Sequence, residues 1–426
     1  MAEKVKKYSL ALVCVYMCYF THGIQALVLS QNKVNFYTQW GITDPTAGAA
    51  AVSMAITWLG VGKLVSVWIG GELSDRVGRK PFAIAGSVLY VICFSIMLVT
   101  TDATVCCVAA FLSGVATSGF WDAALYPAAQ EANPRYAASG VIGIKAAVSL
   151  MGIAYPIFVA ANAAPDVWHI NIYLPIVLSV LCVIISAVVP FRFDDEKKTK
   201  IDDGSAQNAA QAEIQAQKDA MREQPNMLTQ LVTLFIAFVT MYVMYGAQQY
   251  TKAYGMAYLG LDEMSAAVLT SVYTVGSLCA VLFWAFMMGK LRWNPLKVIF
   301  IDFVGSAVAL AMVLVIPNVI GVYIAIAILG FCIAGGCLQT GLVVRQTLCP
   351  GPKGRNTGMY MTFMGVGSVG LPFFVAALTG SVGETTALYF MMISMLIFCV
   401  IGIVFCLYLN KRMKAQMNMT MNDKVD

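Results

Sequence analysis

Apolar runs long enough to cross a bilayer, separated by polar breaks, organise the whole chain. The first runs from about Tyr8 to Leu29, interrupted by Thr21, His22 and Gln25, and the polar stretch Ser30 to Asp44 after it is expected to face outside. Further runs cover about Ala47 to Ile69, Pro81 to Thr100 and Ala103 to Gln130; a fifth follows Arg135 and a sixth ends near Pro190. A polar segment from Phe191 to Asn226, rich in Asp, Lys, Ala and Gln, has no apolar stripe of its own. Six more runs begin near Met227, Ser265, Leu296, Val319, Thr357 and Thr386, and a polar tail starts at Lys411. The pattern predicts an all-α membrane protein with about twelve transmembrane helices in two sets of six. The expected domains are an N-terminal six-helix bundle (1–190), a cytoplasmic linker (191–226), a C-terminal six-helix bundle (227–410) and a cytoplasmic tail (411–426).

The two sets look like copies of one another. Tyr19-x-x-x-Gly23-x-Gln25 in the first run matches Tyr242-x-x-x-Gly246-x-Gln248 in the seventh. Gly114 and Gly119 in the fourth match Gly330 and Gly335 in the tenth, and Pro156 and Pro372 mark the outer halves of the fifth and eleventh. Matches at corresponding places favour two repeats with a site between them.

Composition agrees with this class. With 59% hydrophobic and 12% charged residues in 426, and a mean hydropathy of +0.75, the chain has more apolar surface than a soluble fold can bury. The net charge of +5 is spread over short loops, which reports topology rather than a nucleic-acid partner. Lys and Arg fall in loops or tails on one side except Lys33, Lys63, Lys145 and Lys252, so both termini are expected to be cytoplasmic. The twelve cysteines lie mostly inside apolar runs without paired spacing to histidine, so neither a disulfide framework nor a metal site is expected. The first run lacks a small-residue cleavage site and is expected to stay as a helix.

Between the second and third runs stands Gly70-Gly71-Glu72-Leu73-Ser74-Asp75-Arg76-Val77-Gly78-Arg79-Lys80-Pro81. The order Gly71, Leu73, Asp75, Arg76, Gly78, Arg79, Lys80 resembles the loop between helices 2 and 3 of the major facilitator superfamily. Its counterpart in the second half, Gly289-Lys290-Leu291-Arg292-Trp293-Asn294-Pro295, has lost the acidic residue. The resemblance implies two pseudo-symmetric six-helix bundles and secondary transport by alternating access. It further implies a cavity lined by helices 1, 4, 7 and 10, hence by His22, Gln25, Asp122, Tyr126, Gln248 and Gln339, with Gln249 beside Gln248. Asp75, with Arg76 and Arg79, is assigned to a gate, since a carboxylate at the end of helix 2 suits the positive start of helix 11.

Three ionisable residues lie deep in the first half: Lys63, Asp122 and Lys145. At about 1.5 Å per residue, Lys63 is roughly 18 Å from Asp75, and Asp122 and Lys145 roughly 20 and 15 Å from Arg135, all near mid-depth of a core about 30 Å thick. A lone charge there costs on the order of 3 kcal/mol, so each needs water or a partner. A buried Lys–Asp pair tying helices together is one reading, but one carboxylate cannot neutralise two ammonium groups. The other is that Lys63 or Lys145 faces an aqueous cavity and contacts an anionic substrate, with Asp122 as counter-ion or proton carrier. Tyr126, one turn beyond Asp122, and Ser149 and Gly152, beyond Lys145, share those faces.

The expected function is therefore transport of a small organic anion, a carboxylate or acidic sugar, by proton symport across the cell membrane, by a monomer without cofactors. The alternative is a proton-coupled exporter of amphipathic compounds. A membrane-embedded enzyme is disfavoured, because the chain has only His22 and His169 and no activated Ser or Cys arrangement. Gly365-Val366-Gly367-Ser368-Val369-Gly370 has dinucleotide-loop spacing but lies inside an apolar run, where close helix packing explains it.

Overall fold

The computed structural model describes residues 2–132, 137–197, 221–316, 318–351 and 353–425. Within these, the side chains of 2–7, 9, 75, 130, 137–142, 196–197, 338–339 and 353–355 lie outside the description. Among the described residues twelve helices are long and apolar enough to cross a membrane. In chain order they are α1 (Ala2–Gln25), α2 (Pro45–Val77), α3 (Arg79–Val99), α4 (Ala103–Gly114, Val115–Asp122 and Ala123–Ala132), α5 (Ala137–Ala161) and α6 (Ile170–Val188). The second six are α7 (Met227–Leu259), α8 (Glu263–Gly289), α9 (Pro295–Val315), α10 (Val319–Leu329, Gly330–Cys337 and Leu338–Leu348), α11 (Lys353–Val382) and α12 (Glu384–Met417).

Several helix starts follow directly from side-chain chemistry. Asp44 accepts from the Thr46 and Ala47 amides at 3.2 and 3.1 Å and is followed by Pro45, which fixes the first turn of α2. Asp102 caps α4, Asn294 caps α9 ahead of Pro295, and Asn318 caps α10 in the same way. Gly78, at φ +126°, makes the sharp joint between α2 and α3.

The stretch after α1, expected as a polar segment facing outside, is partly helical and partly buried. It folds into two short helices, Val28–Gln31 and Lys33–Gln39, and Ser30, Gln31 and Asn32 are buried. Their polar groups are satisfied inside: Asn32 Nδ2 donates to Tyr155 Oη at 3.1 Å, Asn171 Nδ2 donates to Asn32 Oδ1 at 2.8 Å, and Gln31 Nε2 donates to Thr270 Oγ1 at 3.3 Å. The polar residues at its start thus mark a hydrogen-bonded seam.

The fourth helix of each half contains a π-helical turn, Val115–Asp122 in α4 and Gly330–Cys337 in α10. Both halves also press the second and fourth helices together through glycine. A Cβ on Gly62 would strike the Phe111 carbonyl, and one on Gly114 would strike the Leu59 carbonyl and lie 2.9 Å from the Lys63 amide. In the second half, Gly276 meets the Ala327 carbonyl and Gly330 the Tyr273 carbonyl at comparable range. The matched glycines thus mark matched close approaches.

By its contacts the chain forms two compact units. One comprises Met1–Lys200, Gln249–Ser271 and Val369–Leu388; the other comprises Ile201–Gln248, Val272–Ser368 and Tyr389–Asp426. The second is cored partly by an aromatic cluster of Phe235, Phe238 and Tyr242 on α7 with Phe398 and Phe405 on α12.

Candidate functional site

Two of the deep charges of the first unit, Lys63 and Asp122, meet at the π-helical turn of α4. That turn ends at Asp122, whose two carboxylate oxygens each receive a hydroxyl: Tyr19 Oη donates to Oδ1 at 2.8 Å and Ser118 Oγ to Oδ2 at 3.0 Å. The Tyr19 ring is met edge-on by Tyr126 at 5.3 Å and by His22 at 5.9 Å between centroids. His22 Nδ1 lies 3.3 Å from Tyr90 Oη, which shares a 2.5 Å hydrogen bond with Thr117 Oγ1. Lys63 rides on the part of α2 that glycine lets closest to α4, and has Asp122 and His22 as electrostatic neighbours. Tyr126 is 38% exposed although it stands among these buried groups, so the cluster has an open face.

Lys145 stands on α5, half-buried, two residues past Gly143, over which the Tyr16 ring lies. One turn further on, Ser149 is buried with no hydrogen-bond partner for its hydroxyl. Among the described residues, neither Lys63 nor Lys145 forms a hydrogen bond or ion pair. The tight Lys–Asp tie is therefore not made. Asp122 is held by hydroxyls instead, and Lys145 has no acidic neighbour at all among the described residues.

The other expected site residues are placed as follows. Gln25 is 1% exposed and donates to Ser113 Oγ at 3.1 Å, so its amide is engaged within the helix packing. Gln249 is buried and donates to the Ala26 carbonyl at 2.5 Å. Gln248 is half-buried in the second unit. The side chains of Gln339 and Asp75 lie outside the described residues. Arg76 is exposed and pairs with Glu72 one turn back at 2.5 Å. Arg79 is a buried strut: it donates to Ser74 Oγ at 2.7 Å, pairs with Glu131 at 3.1 Å and lies 4.3 Å above the Phe193 ring. Beside it, the Lys80 amide donates to Asp194 at 3.0 Å, so the segment after α6 closes over the α2–α3 joint.

Four polar features escape a reading of the sequence. Lys33 pairs with Glu384, and Lys252 pairs with Glu263 while also donating to the Gln31 carbonyl at 2.7 Å. These ties lie in the first unit, at the helix ends away from the Gly70–Lys80 joint, and no sequence spacing could reveal Lys33 and Glu384 as partners 351 positions apart. Arg345 on α10 is 1% exposed and donates to the Gln230 carbonyl at 3.2 Å and Thr233 Oγ1 at 2.9 Å on α7. Asp302 on α9 is fully buried; a lone acid in the apolar run after Pro295 was its available signal.

Twelve spanning helices in two related sets, carrying buried ionisable side chains, define a polytopic membrane transporter. The chain belongs to the Major Facilitator Superfamily, whose family model matches residues 9–369. It is 28% identical over 367 residues to the inner membrane transport protein YdiM of Escherichia coli (strain K12), covering 86% of this chain and 86% of that protein. It is 26% identical over 377 residues to the inner membrane transport protein YdiN of the same strain, covering 87% and 84%. Among solved structures, it superposes on a D-xylose-proton symporter with a TM-score of 0.75 over 95% of this chain and 97% of that one. At 12% identity, that likeness is one of fold.

Proposed function

We propose that this secondary transporter carries a small organic anion, a carboxylate or acidic sugar, in symport with protons and by alternating access. The observation that carries the reading is that, among the described residues, Lys63 and Lys145 of the first unit make no hydrogen bond or ion pair, and Lys145 has no acid near it. An ammonium group held in a spanning helix without a counter-ion costs on the order of 3 kcal/mol, and an anionic substrate offsets that cost. Lys145, with no acidic neighbour among the described residues, is the primary anion contact, and Lys63 is the second, its charge partly balanced by Asp122. His22 and Tyr126 form the wall. Gln25 and Gln249 hold other partners in this conformation and reach substrate only when those bonds open; Gln248 and Gln339 contribute by helix position. Asp122 remains a candidate for proton coupling and Asp75, Arg76 and Arg79 for gating. The spread of Lys and Arg supports both termini being cytoplasmic, the repeat pattern supports bundles at 1–190 and 227–410, and we take the protein to act in the cell membrane as a monomer.

A thermal-shift panel of carboxylates, acidic sugars and neutral sugars tests this on wild type, Lys63→Ala and Lys145→Ala. An acidic ligand is expected to raise the Tm of wild type and not of Lys145→Ala. Equal stabilisation of all three proteins by a carboxylate removes the anion reading.

A further inference from the structure

The second unit contains a carboxyl that the transport reading has not used. Asp302 on α9 is 0% exposed, and neither of its oxygens has a hydrogen-bond partner. The Trp284 indole N–H of α8 lies beside it and is the one side-chain N–H donor near the carboxyl among the described residues, close enough to favour the charged form weakly but outside strict hydrogen-bond geometry. Both are packed on Gly336 of the α10 π-helical turn: a Cβ there would strike the Asp302 carboxyl and lie 2.7 Å from the indole nitrogen. The titratable groups around it are thiols, Cys332 and Cys337 on α10, with Cys399 and Cys406 of α12 next to Cys337. α12 meets α9 where Gly402 faces the Phe303 ring, at 3.0 Å for a Cβ. The buried cation of α10, Arg345, is turned to Gln230 and Thr233 instead. Among the described residues no cation comes within ion-pair distance of Asp302.

The two repeats thus each set one carboxyl against the irregular turn of their fourth helix, in opposite ways. Asp122 has a hydroxyl donor on each oxygen and a lysine for a neighbour. Asp302 has neither. A carboxylate buried at 0% exposure, with only an indole N–H beside it and no counter-charge near it, is far more costly than the neutral acid. We propose that Asp302 is a proton-carrying group of this transporter, holding a proton in the conformation described and releasing it when the α10 turn against it rearranges. π-Helical turns are frequent at functional sites, and a one-residue change of register at Gly336 replaces the surface that Asp302 faces. The released proton passes to water admitted from the α8–α9 loop, roughly 11 Å away at 1.5 Å per residue, and that water solvates the carboxylate left behind. This rests on the proton-symport reading and moves the carrier from Asp122 to Asp302.

Infrared spectra of the purified protein in liposomes read the carbonyl band of a protonated carboxylic acid without any substrate. A band that titrates slowly with pH is expected in wild type and Asp122→Asn, and its loss in Asp302→Asn. Persistence of the band in Asp302→Asn, or its loss in Asp122→Asn alone, overturns the proposal. A hydrophobic carbodiimide, which modifies protonated intramembrane carboxyls, gives a second measurement on the native chain. Peptide mapping is expected to find Asp302 modified, and an unmodified Asp302 counts against it. Symport is judged separately, by uptake of radiolabelled glucuronate and lactate into liposomes with and without an imposed pH gradient. Uptake that ignores the gradient in wild type removes symport, whereas gradient-driven uptake that survives intact in Asp302→Asn removes only Asp302.

Discussion

Lys145 and Lys63 differ in one respect: among the described residues, only Lys63 has an acid in its surroundings. A charged hydrogen bond to substrate is worth about 1.5–3 kcal/mol. Lys145→Ala is therefore expected to weaken binding of an acidic ligand by roughly 10- to 100-fold, measured by titration calorimetry, with a smaller loss for Lys63→Ala. Tyr19→Phe removes one of the two hydroxyls on Asp122 and is expected to lower Tm, corresponding to about 1–2 kcal/mol. Lys63, Asp122 and Lys145 were legible in the sequence because a charge inside an apolar run stands out by itself. The Tyr19 hydroxyl was not, since its partner lies 103 positions away on another helix. Asp302 gave the same signal as the other three, yet it stands closer to a loop and reads as a helix-end charge until its burial is seen.

At the scale of helices, close approach of α2 and α4 places Lys63 opposite Asp122. A methyl on Gly62 meets the backbone carbonyl of Phe111, which cannot swing aside as a side chain can. Gly62→Ala is expected to cost about 1–3 kcal/mol, seen as a lower Tm or loss of monodisperse protein. Gly71→Ala, where nothing lies within 4 Å, is the matched control and is expected to be neutral. The Lys33–Glu384 tie joins the short helix after α1 to the start of α12 within the first unit. Lys33→Glu is expected to lower Tm by the equivalent of about 1–3 kcal/mol, between the exposed and buried limits for ion pairs, and adding Glu384→Lys to restore most of it. The helices and their order were readable from apolar runs and from caps such as Asp44 and Asn294. The π-helical turns were not, because one extra residue per turn barely alters a run that is apolar all round; only Gly114, Gly119, Gly330 and Gly335 marked the places. The buried seam at the start of the segment after α1 was not legible, because Asn32 and Gln31 bond to Tyr155, Asn171 and Thr270, partners far away in the sequence.

For the whole molecule, the paired motifs predicted two copies of a six-helix repeat, and the matching glycine contacts and π-helical turns of α4 and α10 bear that out physically. Substrate identity was not legible on the same terms, since it depends on side chains brought together from several helices rather than on any run. If Asp75 acts at a gate, Asp75→Asn is expected to slow transport several-fold with little change in substrate affinity, because a contact made in one state biases the exchange rather than the site. Equal loss of rate and affinity would argue against it. The most direct measurement of the central claim is a binding titration of one carboxylate ligand and its neutral amide against wild type and Lys145→Ala. Wild type is expected to bind the carboxylate and reject the amide, and Lys145→Ala no longer to distinguish them. Equal binding of the two ligands by wild type would contradict it.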